Sequence, residues 1–129
     1  MKKLERIILV DDDPFTNLYN EIILKQNNAS ENIIPFQKGK EAIEYLETKI
    51  DKVDLILLDI NMPIMNGWQF LEHYQKLDEK KRATILVVML TSSVNIADQK
   101  KAEKLQLVKK FINKPLNEEG VNEIIGLFE

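Results

Sequence analysis

The sequence predicts an α/β fold on a five-stranded parallel sheet, and two observations carry that prediction. Five short apolar runs alternate along the chain with stretches of helical spacing, a β-α unit repeated five times. The first, third and fourth runs are continuous rather than alternating in polarity, as strands buried on both faces of a parallel sheet must be.

The runs are Ile7-Ile8-Leu9-Val10, Ile33-Ile34-Pro35-Phe36, Leu55-Ile56-Leu57-Leu58, Ile85 to Leu90 and Phe111-Ile112. After the first, Phe15, Leu18, Tyr19, Ile22 and Ile23 follow the i, i+3, i+4, i+7, i+8 spacing of an amphipathic helix. Ala42, Ile43, Tyr45 and Leu46 mark a shorter second helix, and Phe70, Leu71, Tyr74 and Leu77 a third. Residues 95–105 give a weaker fourth, with Ala97, Ala102 and Leu105; Val121, Ile124, Ile125 and Phe128 form the last stripe. The aromatics in these stripes are read as core. Right-handed crossovers then place helices on both sheet faces, and a ligand belongs at the carboxyl ends of the strands.

Composition narrows the function classes. At 129 residues, 44% hydrophobic and 30% charged, the chain is expected to form one soluble domain over 1–129 with no output domain. The absence of cysteine excludes a disulfide framework, a thiol nucleophile and a Cys-based zinc site, and suits a reducing cytoplasm. His73 is the only histidine and reads as a surface residue of the third helix; Trp68 reads as packing. No apolar run exceeds six residues, far below the ~20 of a membrane helix, and Met1 to Arg6 begin no signal peptide. Net charge is −3, but residues 95–116 hold six Lys and two acids, leaving −7 for the rest. That bias reads first as a solvated face and second as a surface for an acidic protein partner. An acidic chain without a helix-turn-helix offers no nucleic-acid site.

The residues that follow each run gather at one sheet edge. They are Asp11, Asp12 and Asp13 after the first, Asp59 after the third, Thr91 and Ser92 after the fourth, and Lys114-Pro115 after the fifth. If the first and third strands are neighbours, Asp11, Asp12 and Asp59 crowd together and require a cation. Oxygen ligands without Cys or His suit Mg²⁺, which keeps waters and coordinates phosphate. Lys114 adds a second positive charge and Thr91 a donor, so the edge suits a phosphoryl group beside an accepting carboxylate. Taken singly, each residue has a plainer role: Asp13-Pro14 fits an N-cap followed by proline at the first helical position. The set is what points to chemistry.

Ile8-Leu9-Val10-Asp11-Asp12-Asp13-Pro14, Leu57 to Gly67 with its Asp-x-x-Met-Pro-x-Met-x-Gly pattern, Leu90-Thr91-Ser92 and Lys114-Pro115 together resemble a two-component response-regulator receiver domain. The resemblance covers essentially the whole chain and implies a flavodoxin-like doubly wound (βα)5 fold with strand order 2-1-3-4-5. It implies that Asp59 accepts the phosphoryl group. Mg²⁺ would be held by Asp12 directly, by Asp11 more through water, by Asp59 and by the backbone carbonyl of Asn61. Thr91 corresponds to the switch hydroxyl, with Ser92 beside it among the phosphate-contacting residues. Lys114 is the phosphate-pairing lysine, with a cis bond to Pro115. Phe111 takes the place of an aromatic rotamer switch that is more often Tyr, and residues 105–110 lack the usual small Gly-Ala step. Asn61 and Ser93 flank the path of the hydrolysing water.

The implied donor is a sensor histidine kinase or histidine phosphotransfer protein. The implied output is a changed surface over residues 95–128 that meets a downstream protein or supports a phosphorylation-dependent homodimer. Such a chain is a signalling phospho-acceptor and not an enzyme acting on other substrates. Two other functions fit parts of the pattern. A haloacid-dehalogenase-type phosphohydrolase would use Asp11 and Asp13, but lacks its downstream acidic pair and leaves Asp59 without a role. A phosphorylation-independent receiver-like module would have no need of the full residue set.

Overall fold

The computed structural model describes residues 3–49, 51–90, 96–104 and 106–129. Its strands are β1 (Ile7–Val10), β2 (Ile33–Phe36), β3 (Leu55–Asp59), β4 (Ile85–Leu90) and β5 (Lys110–Asn113). The helices are α1 (Pro14–Gln26), α2 (Gly39–Thr48), α3 (Gly67–Tyr74), α4 (Ile96–Lys104) and α5 (Glu118–Gly126), with a 3₁₀ turn at Glu79–Lys81. All strand pairs are parallel, in the order β2-β1-β3-β4-β5. The predicted doubly wound flavodoxin-like topology is what forms.

Alternation along each strand builds two cores. Ile8, Val10, Ile56, Leu58, Leu86 and Val88 meet Ala42, Ile43 and Leu46 of α2 and Phe70, Leu71 and Tyr74 of α3. Ile7, Leu9, Leu55, Leu57, Val87 and Met89 face the other way, against Leu24 of α1 and Val121, Ile124 and Ile125 of α5. The central strands β1 and β3 are therefore buried residue by residue, which is why they read as unbroken apolar runs. β2 lies at the sheet edge, where Pro35 is tolerated because an edge strand need not donate from every residue.

One expectation is overturned. The stripe Phe15, Leu18, Tyr19 and Ile22 faces solvent, with exposures of 78%, 55%, 42% and 46%. The buried residues of α1 are Asn17, Asn20 and Leu24. Helical periodicity identified the helix, but the sheet end beneath its first turns presents backbone carbonyls, and these require donors rather than methyl groups. Asn17 supplies them, its Nδ2 donating to the carbonyls of Asp11 at 3.0 Å and Phe36 at 3.3 Å. Leu77 also differs: α3 ends at Tyr74, yet Leu77 still packs against the core. In α4, Ala97 is exposed, and Leu105 lies outside the described residues.

Candidate functional site

Register brings the site together. Val10 pairs with Leu58, so Asp11, one residue past β1, comes beside Asp59 at the end of β3. Leu90 pairs with Asn113, which delivers Lys114 from β5 to the same edge. Carboxylate oxygens of Asp11, Asp12 and Asp59 all lie within 4.8 Å of one another.

Two loops hold these side chains in place. Asp13 caps α1, its carboxylate accepting from Phe15 N–H at 2.9 Å and from the Thr16 hydroxyl at 3.1 Å, with Pro14 at the first helical position. Its capping role is thus the observed one, and it leaves no catalytic Asp11/Asp13 pair of the phosphohydrolase kind. The β3–α3 loop folds back through Gly67, whose N–H donates to the Ile60 carbonyl at 2.9 Å. A Cβ on Gly67 would lie 2.8 Å from the Asp59 carbonyl oxygen, so only glycine lets the loop return this close. Asn66 then caps α3 in a reciprocal pair with Gln69, both bonds 2.9 Å.

The charges are unevenly satisfied. Asp11 is engaged at both oxygens: Oδ1 accepts from Asp13 N–H at 2.9 Å and Oδ2 pairs with Lys114 Nζ at 2.9 Å. Asp12 carries no such partner among the described residues and is more open to solvent. Lys114 Nζ also lies 2.9 Å from Asp59 Oδ1, close enough to pair charges but off the line of a good hydrogen bond. That buried oxygen therefore has no aligned donor among the described residues. Burial raises the Asp59 pKa above its ordinary value, the Lys114 contact and the Asn61 backbone N–H oppose the rise, and the Asp11 charge adds to it. For Lys114, burial works to lower the pKa, but close contact with the Asp59 and Asp11 carboxylates and their negative charge win and hold it raised.

One ammonium is thus shared by Asp11 and Asp59, with Asp12 beside them unpaired among the described residues, which leaves the cluster negative. An under-satisfied buried carboxylate oxygen beside an open Asp12 fits a hard divalent cation and a phosphoryl group. Of the residues picked out by sequence, the structure unites Asp11, Asp12, Asp59 and Lys114, with Asn61 adjacent through its backbone. The Lys114-Pro115 bond is cis, as expected. Phe111 is half-buried against the core face that carries α2 and α3. Thr91, Ser92 and Ser93 lie outside the described residues.

Asn17 was not picked out from the sequence. The available signal was a pair of asparagines, Asn17 and Asn20, three apart and in phase with Leu24, a polar stripe opposite the apolar one. Asn20 and Lys114 line a small pocket of about 240 Å³ with Phe15, Thr16, Tyr19 and Leu116. Tyr19 closes it by donating its hydroxyl to the Leu116 carbonyl at 2.8 Å.

A family model described as response regulator receiver domain matches residues 7–126. Among solved structures, a two-component response regulator from Cytophaga hutchinsonii superposes with a TM-score of 0.82 at 29% identity, covering 99% of this chain and all of that one. A response regulator receiver protein from Dyadobacter fermentans gives 0.79 at 28% identity, covering 96% of this chain and 97% of the other. Among curated relatives, the sensor histidine kinase GacS of Pseudomonas protegens is 23% identical over 93% of this chain and 13% of its own length. A protein-glutamate methylesterase/protein-glutamine glutaminase of Desulfotalea psychrophila is 38% identical over 67% of this chain and 23% of its own. The chain thus spans about a quarter or less of these two relatives.

Proposed function

The chain belongs to the response-regulator receiver domain family, a phospho-acceptor of two-component signalling, and from that premise we propose that Asp59 is the residue phosphorylated. The observation that carries this is Asp59 itself: a buried carboxylate with a raised pKa, one oxygen lacking an aligned donor, beside Lys114 and two further acids. Its carboxylate attacks phosphorus, the bond to the donor nitrogen or oxygen breaks, and an acyl phosphate forms. Lys114 holds positive charge beside the incoming phosphoryl oxygens. Asp11, fixed by Lys114 and the Asp13 N–H, the more open Asp12 and Asp59 itself would hold Mg²⁺, with the Asn61 carbonyl completing the ligand set. A divalent cation held by these residues would supply positive charge to offset that of the phosphoryl group. Thr91 and Ser92 complete the phosphate contacts, and Asn61 and Ser93 tune attack by water.

The donor is a histidine kinase or histidine phosphotransfer protein, which must carry a phosphorylated imidazole to this edge. The exposed apolar face of α1 supports a docking place for it. Phe15, Leu18, Tyr19 and Ile22 start beside the pocket lined by Lys114, and contiguous exposed apolar surface marks interaction sites. The receiving protein, a downstream target or a second copy, meets the surface of α4, β5 and α5, and the excess of lysine over residues 95–116 suits an acidic partner. Among the described residues no helix is long and apolar enough to cross a membrane, and the cysteine-free composition supports the cytoplasm as its compartment.

Incubation with acetyl phosphate and Mg²⁺ tests the assignment. One phosphoryl mass is expected, lost in Asp59→Asn or on chelation; a labelled aspartate elsewhere in the unmutated protein overturns it.

A further inference from the structure

A second concave surface, apart from the α1 face and the α4-β5-α5 surface, lies between the start of α2 and the β3–α3 loop. It encloses about 470 Å³ and is lined by Gln37, Lys38, Gly39, Lys40, the Met62-Pro63-Ile64-Met65 loop and Asp12. Its lining is mostly apolar along the loop and cationic along the helix start.

Three features of the groove belong together. Ile64 is 98% exposed and sits at φ 70°, a left-handed conformation that β-branched residues strongly avoid. An Asn or Gly at that turn would fold more easily and expose no apolar surface, so neither folding nor solubility accounts for an isoleucine there. Lys38 and Lys40 are both exposed, and neither makes an ion pair among the described residues. No side chain caps α2, whose N-terminal residue before the helix is Lys38, so the first-turn N–H groups are left for an outside acceptor.

We infer that this groove docks a segment of a partner protein in which an apolar anchor is flanked by carboxylates. The anchor rests on Ile64 and Met65, and the carboxylates meet Lys38, Lys40 and the uncapped start of α2. Charge complementarity at the helix start selects the occupant: a basic segment there would face two lysines and an uncapped helix N-terminus, and Asp12 is the one lining group among the described residues that would attract it. A purely polar acidic segment would leave Ile64 uncovered. The site is set on elements other than those proposed above for the phosphodonor and the output surface, and it does not require Asp59 to be phosphorylated.

The test uses three capped synthetic hexapeptides, Glu-Glu-Leu-Phe-Glu-Glu, Lys-Lys-Leu-Phe-Lys-Lys and Glu-Glu-Ser-Ser-Glu-Glu, titrated into the ¹⁵N-labelled full chain. The first should produce saturable amide shifts over residues 37–40 and 62–65, and the other two should not. Ile64→Asp should abolish those shifts. Lys38→Glu with Lys40→Glu should weaken binding about fivefold or more, the effect of losing two exposed ion pairs. Shifts centred elsewhere, equal shifts from all three peptides, or unchanged binding by the variants overturn the inference. Phosphoryl uptake by Asp59, measured by mass on the same samples, reports separately on the receiver reading. Intact uptake without groove shifts overturns the docking site alone.

Discussion

Neutralising Asp59 should stabilise the metal-free protein. At 2.9 Å, Lys114 attracts the Asp59 carboxylate by about 6 kcal/mol at an effective dielectric constant of about 20. Asp11 and Asp12, within 4.8 Å, each oppose this by about 3.5 kcal/mol or more. The result is a net repulsion of about 1 kcal/mol, to which burial adds a desolvation cost. Asp59→Asn keeps the shape and removes the charge, so it should gain about 1 kcal/mol and raise Tm by roughly 3–5 °C for a domain of this size. The pH dependence has a definite sign. Because the folded-state pKa is raised above the ordinary value of 3.8, the unmutated protein loses stability as pH rises through the folded pKa. The advantage of Asn should therefore vanish in acid and appear towards neutrality. Mg²⁺ should invert the order, since a hundredfold excess over its dissociation constant adds about 2.7 kcal/mol to a protein that binds it. Thermal unfolding of both proteins in chelator and in Mg²⁺, across pH, reads all three. If Asp59→Asn is no more stable than the parent in chelator near neutral pH, the cluster is not charge-strained and the argument for a cation there fails.

Gly67→Ala should cost about 1–3 kcal/mol in urea unfolding, because the new methyl meets not only the Ile60 side chain but also backbone at the Asp59 carbonyl oxygen and Ile60 Cα, and should lower phosphoryl uptake by displacing the loop from Asp59. Phe15→Asp with Leu18→Asp should change stability by no more than about 0.5 kcal/mol per site yet abolish transfer from a histidine phosphotransfer protein. Acetyl phosphate uptake should remain, and unchanged protein-to-protein transfer would remove α1 as the docking face. Ser93→Arg or Ser93→Glu should alter the decay rate of the aspartyl phosphate, followed by mass; an unchanged rate counts against its place on the water path. Thr91→Ala and Phe111→Ala should each weaken the amide shift changes that a beryllofluoride phosphoryl mimic induces over residues 95–128. Identical changes in the parent and both variants would separate the phosphate site from that surface.

The sheet was legible because its central strands have no polar side to confuse the reading: Ile7 to Val10 and Leu55 to Leu58 are apolar at every position, and both faces bury them. The site followed from that, since parallel strands send all their following residues to one edge, and Asp11, Asp59 and Lys114 needed only the strand order to meet. What periodicity does not carry is direction. In α1 the apolar and polar stripes are equally regular, and hydrophobicity alone assigns the wrong one to the interior. The deciding fact is non-local: the ends of β1 and β2 offer the Asp11 and Phe36 carbonyls beneath the helix, and an unpaired buried carbonyl costs more than an exposed phenylalanine. A helix that turns asparagine inward to hold the backbone of Asp11 is left with its aromatic and aliphatic side chains outward. These begin at the mouth of the pocket beside Lys114. The same choice that fixes Asp11 thus leaves an apolar surface at the position proposed above for docking the phosphodonor.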